Sequence, residues 1–465
     1  MKHPFTLLVT GICAVLLLPT LFMDGMFMDG LLYASVAKNY AEGIGTFWEP
    51  VFSVTRYNPF HEQPPLMFFL QGIFFKIFGD GFYTERIYCL IFAILSCYFI
   101  YRIWQVVFPQ SNSSALPVLL FFIMPVTFWS YTNNVEECSM VLFVLIAAFF
   151  QSVAFFQNKQ IFRSLLISGL FILLAGLTKG VQGMFLLAGP FFWWLASRRI
   201  SFAAMMLQSA AVLAVPLIFV VWAYYAEAPH NSFAAYFESR YVKTFNGVHA
   251  TTGSHFHHLY ELLQNSLPCL GIIVIASFSY GIQQSKARIA GDKTALLFFL
   301  FVGLSGILPL MVTLEQRGFY QLTAMPFIAL FLAILAKPAF ETLSEKLSGN
   351  KRWGAAVSYA GVFLIAGSII ATTLLYGKPK RDADKIHDLK LIADKTSTEK
   401  QIVFEYDIAA EWPLITYAQR FRNISVLVEQ SGKGKYMIAV KGKQVSAGWS
   451  EVALPTLSYT LYYRH

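Results

Sequence analysis

Acidic residues follow the first apolar segment of the chain, in a region where most residues are hydrophobic. Asp29 stands in a Met-Asp-Gly-Leu-Leu-Tyr segment that ends at Tyr33, one helical turn later, and Glu62 and Gln63 follow in His-Glu-Gln-Pro-Pro. A carboxylate at a membrane boundary is costly to desolvate, which makes it a functional candidate. We interpret Asp29 as a general base that takes the proton of an attacking hydroxyl, or as a carboxylate that orients that hydroxyl. Capping of an interfacial helix is the alternative.

Two further charged sites lie between apolar runs with almost no loop. Glu136 and Glu137 follow Thr-Asn-Asn-Val in a very short loop, where paired carboxylates stay at the membrane boundary. A plain solvated turn is the alternative. Lys179 stands in Leu-Thr-Lys-Gly between two more apolar runs. It either extends to the water by snorkelling or binds a phosphate.

Other cationic residues occupy the remaining loops. Arg317 stands in Glu-Gln-Arg-Gly-Phe-Tyr, which ends at Tyr320, and offers a bidentate fork to a phosphate; an interfacial anchor is the alternative. Arg56 lies upstream of Glu62 and supplies positive charge near it. His255 opens a His-Phe-His-His segment whose spacing matches no standard structural zinc site. We interpret these histidines as surface residues or phosphate donors, and the sequence indicates no metal or other cofactor.

The composition is that of a polytopic membrane protein. Of the 465 residues, 56% are hydrophobic and 13% are charged, with a mean hydropathy of +0.55. An ordinary soluble domain carries roughly 25% charged residues. The net charge of +9 comes from basic residues in short loops, and no nucleic-acid motif accompanies it. The five cysteines are scattered in or beside apolar runs, which is typical of small buried hydrophobic residues.

Apolar runs that cross a membrane need about 20 residues. A first run at 5–23 and ten later ones predict about eleven transmembrane helices. The later runs are 83–103, 115–131, 138–157, 162–178, 181–197, 202–225, 265–283, 294–314, 318–336 and 354–376. The shorter run 65–78 begins at two prolines and carries Gln71 and Lys76, so we interpret it as an amphipathic interfacial helix.

Lysine and arginine fall in alternate loops, which assigns those loops and the N-terminus to the cytoplasm. The candidate residues then share the external side. The last stretch is polar, with strand-like runs at 401–406, 424–428 and 436–440. We therefore predict a transmembrane domain at 1–376 and a small external α/β domain at 377–465.

Acid–base groups together with cationic side chains that bind an anion, all on one side of a membrane, indicate a transferase. Its donor would carry a phosphate as the leaving group. The donor would be carried by a lipid, because the site faces a compartment without nucleotide donors. A transporter or flippase of a lipid-linked sugar is the rival, and it predicts interrupted helices in repeated halves. A scaffolding protein is a third reading, but it leaves the external charges unexplained.

The order of these motifs resembles that of the GT-C glycosyltransferases. It consists of Asp-x-x-x-Tyr-Ala, Glu-x-Pro-Pro-Leu, a short acidic second loop, Leu-Thr-Lys-Gly and Arg-x-x-Tyr-x-Leu, over about residues 1–335. Within that superfamily it is most similar to the protein mannosyltransferase and aminoarabinose transferase group. Gly30 stands where the family often has an acidic residue, and Gln63 stands where the aminoarabinose transferases have lysine.

The resemblance implies an all-α polytopic GT-C fold and an inverting transfer from a polyprenyl-phosphate sugar, such as an undecaprenyl-phosphate sugar, to lipid A, protein or an envelope glycan. The resemblance implies that the transfer takes place on the periplasmic side of a bacterial cytoplasmic (inner) membrane. Asp29 matches the first-loop catalytic aspartate, and Glu137, with Glu136 as the alternative, matches the second-loop acid. Lys179, His255 and Arg317 match positions near the donor phosphate. The full predicted donor- and substrate-binding set is Tyr33, Arg56, Glu62, Gln63, Lys179, His255, Arg317 and Tyr320.

Overall fold

The computed structural model describes residues 4–280, 289–428 and 434–464. The α-helices are α1 (Pro4–Leu21), α2 (Met28–Ala41), α3 (Leu66–Phe78), α4 (Thr84–Val107), α5 (Leu116–Ile123), α6 (Pro125–Thr132), α7 (Glu137–Phe156), α8 (Ile161–Lys179), α9 (Gly189–Ser197), α10 (Phe202–Tyr225), α11 (Glu227–Tyr236), α12 (Lys243–Phe245), α13 (His257–Tyr280), α14 (Lys293–Ile307), α15 (Met325–Gly349), α16 (Lys351–Leu375), α17 (Ala383–Lys395) and α18 (Trp412–Arg422). Three 3-10 helical segments cover Val181–Ala188, Leu308–Val312 and Gly318–Thr323, and a π-helical turn covers Phe237–Val242.

Nine helices within the described residues are long and apolar enough to cross a membrane. They are α1, α4, α7, α8, α10, α13, α14 with the 3-10 turn that follows it, α15 and α16. The predicted all-α polytopic membrane fold is confirmed, and α3 occupies the short run that was predicted not to span. Residues 281–283, at the end of one predicted run, lie outside the described residues.

The structure has nine long helices among its described residues where about eleven spans were predicted, because two of the predicted runs are broken helices. The run 115–131 divides into α5 and α6 at Met124, whose backbone is extended ahead of Pro125. Proline disfavours a helical conformation in the residue before it. The run 181–197 begins as the 3-10 segment and becomes α-helical at Gly189, next to Pro190. Each piece alone is too short to cross.

The C-terminal region forms one five-stranded sheet in the order β2-β1-β3-β5-β4. The strands are β1 (Gln401–Phe404), β2 (Ser425–Val428), β3 (Tyr436–Val440), β4 (Trp449–Val452) and β5 (Tyr459–Arg464). β1 pairs in parallel with β2 and β3, and β5 pairs antiparallel with β3 and β4. The first three strands were predicted, and the last two were missed.

Ion pairs join this domain to the membrane helices. Arg420 on α18 is fully buried, with Nη1 2.5 Å from Asp80 Oδ1 and Nη2 2.8 Å from Glu85 Oε2 at the start of α4. Lys38 on α2 reaches the other oxygen of Asp80 at 2.5 Å. The apolar core continues across this contact, since Leu31 of α2 and Tyr417 of α18 belong to the same buried cluster. The sheet domain is therefore fixed against α2, the helix that carries Asp29.

Candidate active site

Two cavities meet at the end of the helix bundle where the predicted residues gather. The loop cavity, of about 330 Å³, is lined by Asp29, Tyr33, Glu62 and Arg317 among others. The helix cavity, of about 680 Å³, lies beside Lys179 and is walled mainly by apolar residues of the Val181–Ala188 segment and of the end of α14. Gln63, Arg240, Glu315 and Tyr320 line both cavities. These shared residues form the junction between the two spaces.

Asp29 lies in the first turn of α2, where its side chain faces the loop cavity. It does not cap the helix: Phe27 occupies the N-cap position and makes no side-chain cap bond. Within the described part of the chain, the Asp29 carboxylate has no hydrogen bond or ion pair. Burial raises its pKa, Glu315 adds to the rise, and Lys179, Arg240 and Arg317 oppose it. An unpaired carboxylate of raised pKa is a stronger base when ionised.

The loop between α6 and α7 holds α2 in place. Asn133 Oδ1 accepts a hydrogen bond from the Phe27 backbone N–H at 2.9 Å, and the Asn134 amide donates to the Gly30 carbonyl at 2.9 Å. The backbones approach so closely that a Cβ on Gly30 would collide with the Asn133 carbonyl oxygen. The position of Asp29 therefore depends on the neighbouring loop.

Glu136, Glu137 and Lys179 form a buried cluster behind the helix cavity. Both glutamates are fully buried, and only 6% of Lys179 is exposed. The Lys179 ammonium forms a short ion pair with Glu137 and lies 3.8 Å from Glu136 Oε2. Neither Glu136 oxygen has a hydrogen-bond partner among the described residues, and burial raises the Glu136 pKa well above its usual value. Glu137 thus holds Lys179, while Glu136 lies beside this pair without a hydrogen bond among the described residues.

Arg240, in the π-helical turn after α11, is a residue that the sequence reasoning missed. Its guanidinium lies 3.8 Å from Glu62 Oε2 and 3.4 Å from Glu315 Oε1. The Tyr320 hydroxyl donates to the same Glu315 oxygen at 3.2 Å. The signal was present, since Arg240 lies in the long external loop against the general charge distribution. It places a cation at the junction of the two cavities.

The structure brings most of the predicted residues together. Asp29, Tyr33, Glu62, Gln63, Arg317 and Tyr320 line the loop cavity, and Lys179 lines the helix cavity.

Two predicted residues lie elsewhere. Arg56 donates to the Ala409 carbonyl at 2.6 Å and so joins the first loop to the sheet domain. The exposed His255 has Nδ1 2.7 Å from the Met311 carbonyl oxygen and lines neither cavity, whereas His249 of the same loop lines the loop cavity. Arg56 and His255 therefore line neither of the two cavities.

The chain resembles known proteins in part of its sequence and in its fold. Residues 62–225 match the family model for dolichyl-phosphate-mannose-protein mannosyltransferase. The crystal structure of ArnT from Cupriavidus metallidurans bound to undecaprenyl phosphate matches with a TM-score of 0.64 at 14% identity, over 98% of this chain and 96% of that one. Its apo structure matches with a TM-score of 0.67 at 13% identity, over 98% and 97%.

The archaeal oligosaccharyltransferase AglB from Archaeoglobus fulgidus, in complex with an inhibitory peptide and a dolichol-phosphate, matches with a TM-score of 0.53 at 13% identity. That match covers 94% of this chain and 69% of the other. A search of curated protein sequences finds no match. The chain shares the GT-C fold of these structures, and the resemblance inferred from the motifs is confirmed. Within that class, the likeness to ArnT extends over nearly the whole of both chains.

Proposed function

We propose that this chain is an inverting glycosyltransferase that moves one sugar from a polyprenyl-phosphate donor to an acceptor in the cell envelope. Lipid A, a protein and an envelope glycan are the acceptor classes. The observation that carries the proposal is the Asp29 carboxylate, which has no partner among the described residues. It lies in a cavity that adjoins a second, apolar cavity with a cation at the junction. A base, an acceptor space and a space for a lipid phosphate are what this transfer requires.

The helix cavity suits the lipid part of the donor. Its walls include Met184, Phe185 and Leu310, and its polar end carries Lys179 and Arg240. Two buried carboxylates surround Lys179, whereas Arg240 is held by ion pairs of 3.4 Å and 3.8 Å that a phosphate could replace. We therefore assign the donor phosphate to Arg240. This arginine takes over from the lysine that the aminoarabinose transferases have at position 63. The undecaprenyl phosphate bound to ArnT supports a donor of this kind.

The reaction follows from these roles. Asp29 takes the proton of an acceptor hydroxyl as the acceptor oxygen attacks the anomeric carbon of the donor sugar. The bond from that carbon to the phosphate oxygen breaks, and the polyprenyl phosphate leaves with the electron pair. Attack opposite the leaving group inverts the anomeric configuration. Arg240 stabilises the charge that develops on the phosphate, and Glu137 keeps Lys179 at the donor end of the site.

The chain would act on the external side of a bacterial inner membrane, with residues 1–376 as the membrane domain and 377–465 as the external domain. The distribution of lysine and arginine supports this orientation.

Mass spectrometry of envelope glycolipids, glycoproteins and glycans, from cells with and without the gene, tests the proposal. We expect one sugar-bearing species to disappear in the deletion strain. It should return with the wild-type gene and not with Asp29→Asn. If instead the purified protein moves labelled lipid-linked sugar across vesicles and no sugar is transferred in cells, the protein is a transporter.

A further inference from the structure

The C-terminal domain supplies part of the wall of the loop cavity. Trp412, the first residue of α18, lines this cavity together with Asp29. Tyr57 of the first external loop stacks on it, with ring centroids 5.6 Å apart and 25° between the planes. Phe60 meets Tyr57 edge to face at 5.5 Å. Two regions more than 350 residues apart in the chain thus form one aromatic wall beside the proposed base.

This wall is fixed by contacts on both sides of it. Thr55 Oγ1 donates to the Val426 carbonyl at 2.7 Å, and Arg56 Nη2 donates to the Ala409 carbonyl at 2.6 Å. The Arg56 guanidinium also lies 5.8 Å from the centre of the Trp412 ring. Because the rings are held before any ligand enters, a ligand that packs on them pays little ordering entropy.

The wall also offers polar groups. The Tyr57 side chain is 37% exposed, and its hydroxyl has no hydrogen-bond partner among the described residues. Glu62 and His249 line the same cavity. Aromatic rings with a few convergent hydrogen-bonding groups are the usual lining of a site for a small ligand that is apolar on one face and polar at its edge.

The charges around the loop cavity nearly cancel. Glu62 and Glu315 are paired with Arg240, while Asp29 and Arg317 have no ion pair within the described part of the chain. Among the described residues, Arg317 is the one arginine of this cavity without an ion pair. A phosphate-rich acceptor would therefore meet one unpaired arginine and three carboxylates. An uncharged acceptor avoids that repulsion.

We propose that Tyr57 and Trp412 bind the acceptor, and that the acceptor group is an uncharged sugar ring that presents one hydroxyl to Asp29. The C–H face of such a ring packs on the aromatic side chains, and its other hydroxyls bond to Tyr57 and Glu62. This inference rests on the proposed function and narrows the acceptor to an envelope glycan.

Saturation-transfer NMR on the full-length protein in micelles, loaded with undecaprenyl phosphate, tests the inference. The probes are a panel of uncharged methyl glycosides, a peptide containing serine and threonine, and lipid A. We expect saturation on one or more glycosides and none specific to the peptide or lipid A. Trp412→Ala should lower the glycoside signal at least fivefold, and Trp412→Phe should restore most of it. Tyr57→Phe should weaken glycoside binding about 2- to 12-fold, the range for one net hydrogen bond.

The matched control is Trp449→Ala. Trp449 lies on β4 under the Arg464 guanidinium and lines neither cavity, so its loss should leave the glycoside signal unchanged. Affinity for undecaprenyl phosphate should stay within twofold in every variant. A glycoside signal that survives Trp412→Ala overturns the inference, as does saturation of the peptide or lipid A in place of the glycosides. Failure of the wild-type protein to bind undecaprenyl phosphate overturns the proposed function itself.

Discussion

Replacing Arg240 by glutamine tests the junction between the two cavities. Glutamine keeps much of the side-chain length and removes the charge, so a donor phosphate loses its cation. A hydrogen bond to a charged group contributes about 1.5–3 kcal/mol, and each 1.4 kcal/mol is a tenfold change in affinity. Arg240 must loosen from Glu62 and Glu315 to bind the phosphate, which offsets part of this gain. We therefore expect undecaprenyl phosphate to bind about 10- to 30-fold more weakly to Arg240→Gln.

The assay is titration of purified protein in detergent with undecaprenyl phosphate, followed by native mass spectrometry. Arg240→Lys keeps the charge but loses the bidentate fork, so its affinity should fall between those of wild type and Arg240→Gln. Arg317→Gln is the matched control, because Arg317 lines the loop cavity and not the helix cavity. Equal affinities of wild type and Arg240→Gln, or a larger loss in Arg317→Gln, would refute the assignment of the phosphate to Arg240.

Three further predictions concern the base and the domain contact. Asp29→Asn should lower sugar transfer by about 100- to 10,000-fold, which is the contribution of a general base. Asp24→Asn, in the loop before α2, should keep most activity. Product mass spectrometry per unit of membrane protein measures both. Since Asp29 must be ionised and burial raises its pKa, transfer activity should be lost on acidification at a higher pH than for an ordinary aspartate. Arg317 lowers the Asp29 pKa, so Arg317→Gln should move this loss of activity to still higher pH. A pH–activity profile that is unchanged in Arg317→Gln contradicts the assignment of Asp29 as the base. Arg420→Met leaves the fully buried Glu85 without one of its cations. It should lower the free energy of unfolding by about 3–5 kcal/mol and so lower the melting temperature. An unchanged melting temperature would show that the ion pair does not hold the domains together.

The sequence predicts those parts of the fold that depend on local pattern. The run 65–78 corresponds to α3, and the run 354–376 corresponds to α16. These segments owe their structure to apolar length and to prolines or charges at their ends, which are all readable from neighbouring residues. The division of 115–131 at Pro125 was also readable, but hydropathy alone hides it because both halves are apolar.

The composition of the site was only partly predictable. Asp29 was found because its charge is unusual for its place in the chain. Arg240 lies in a loop without a motif, and its partner Glu315 is 75 positions later. Trp412 belongs to a domain whose contact with the first loop depends on tertiary hydrogen bonds. Such groupings arise from packing between distant segments, which one sequence does not reveal.

The close approach at Gly30 limits how this protein could be converted into a more typical relative. An acidic side chain at that position would have to occupy the space of the Asn133 carbonyl oxygen. A single exchange would push α2 away from the second loop and displace the neighbouring carboxylate. A substitution at Gly30 therefore requires a matching change in the loop that carries Asn133.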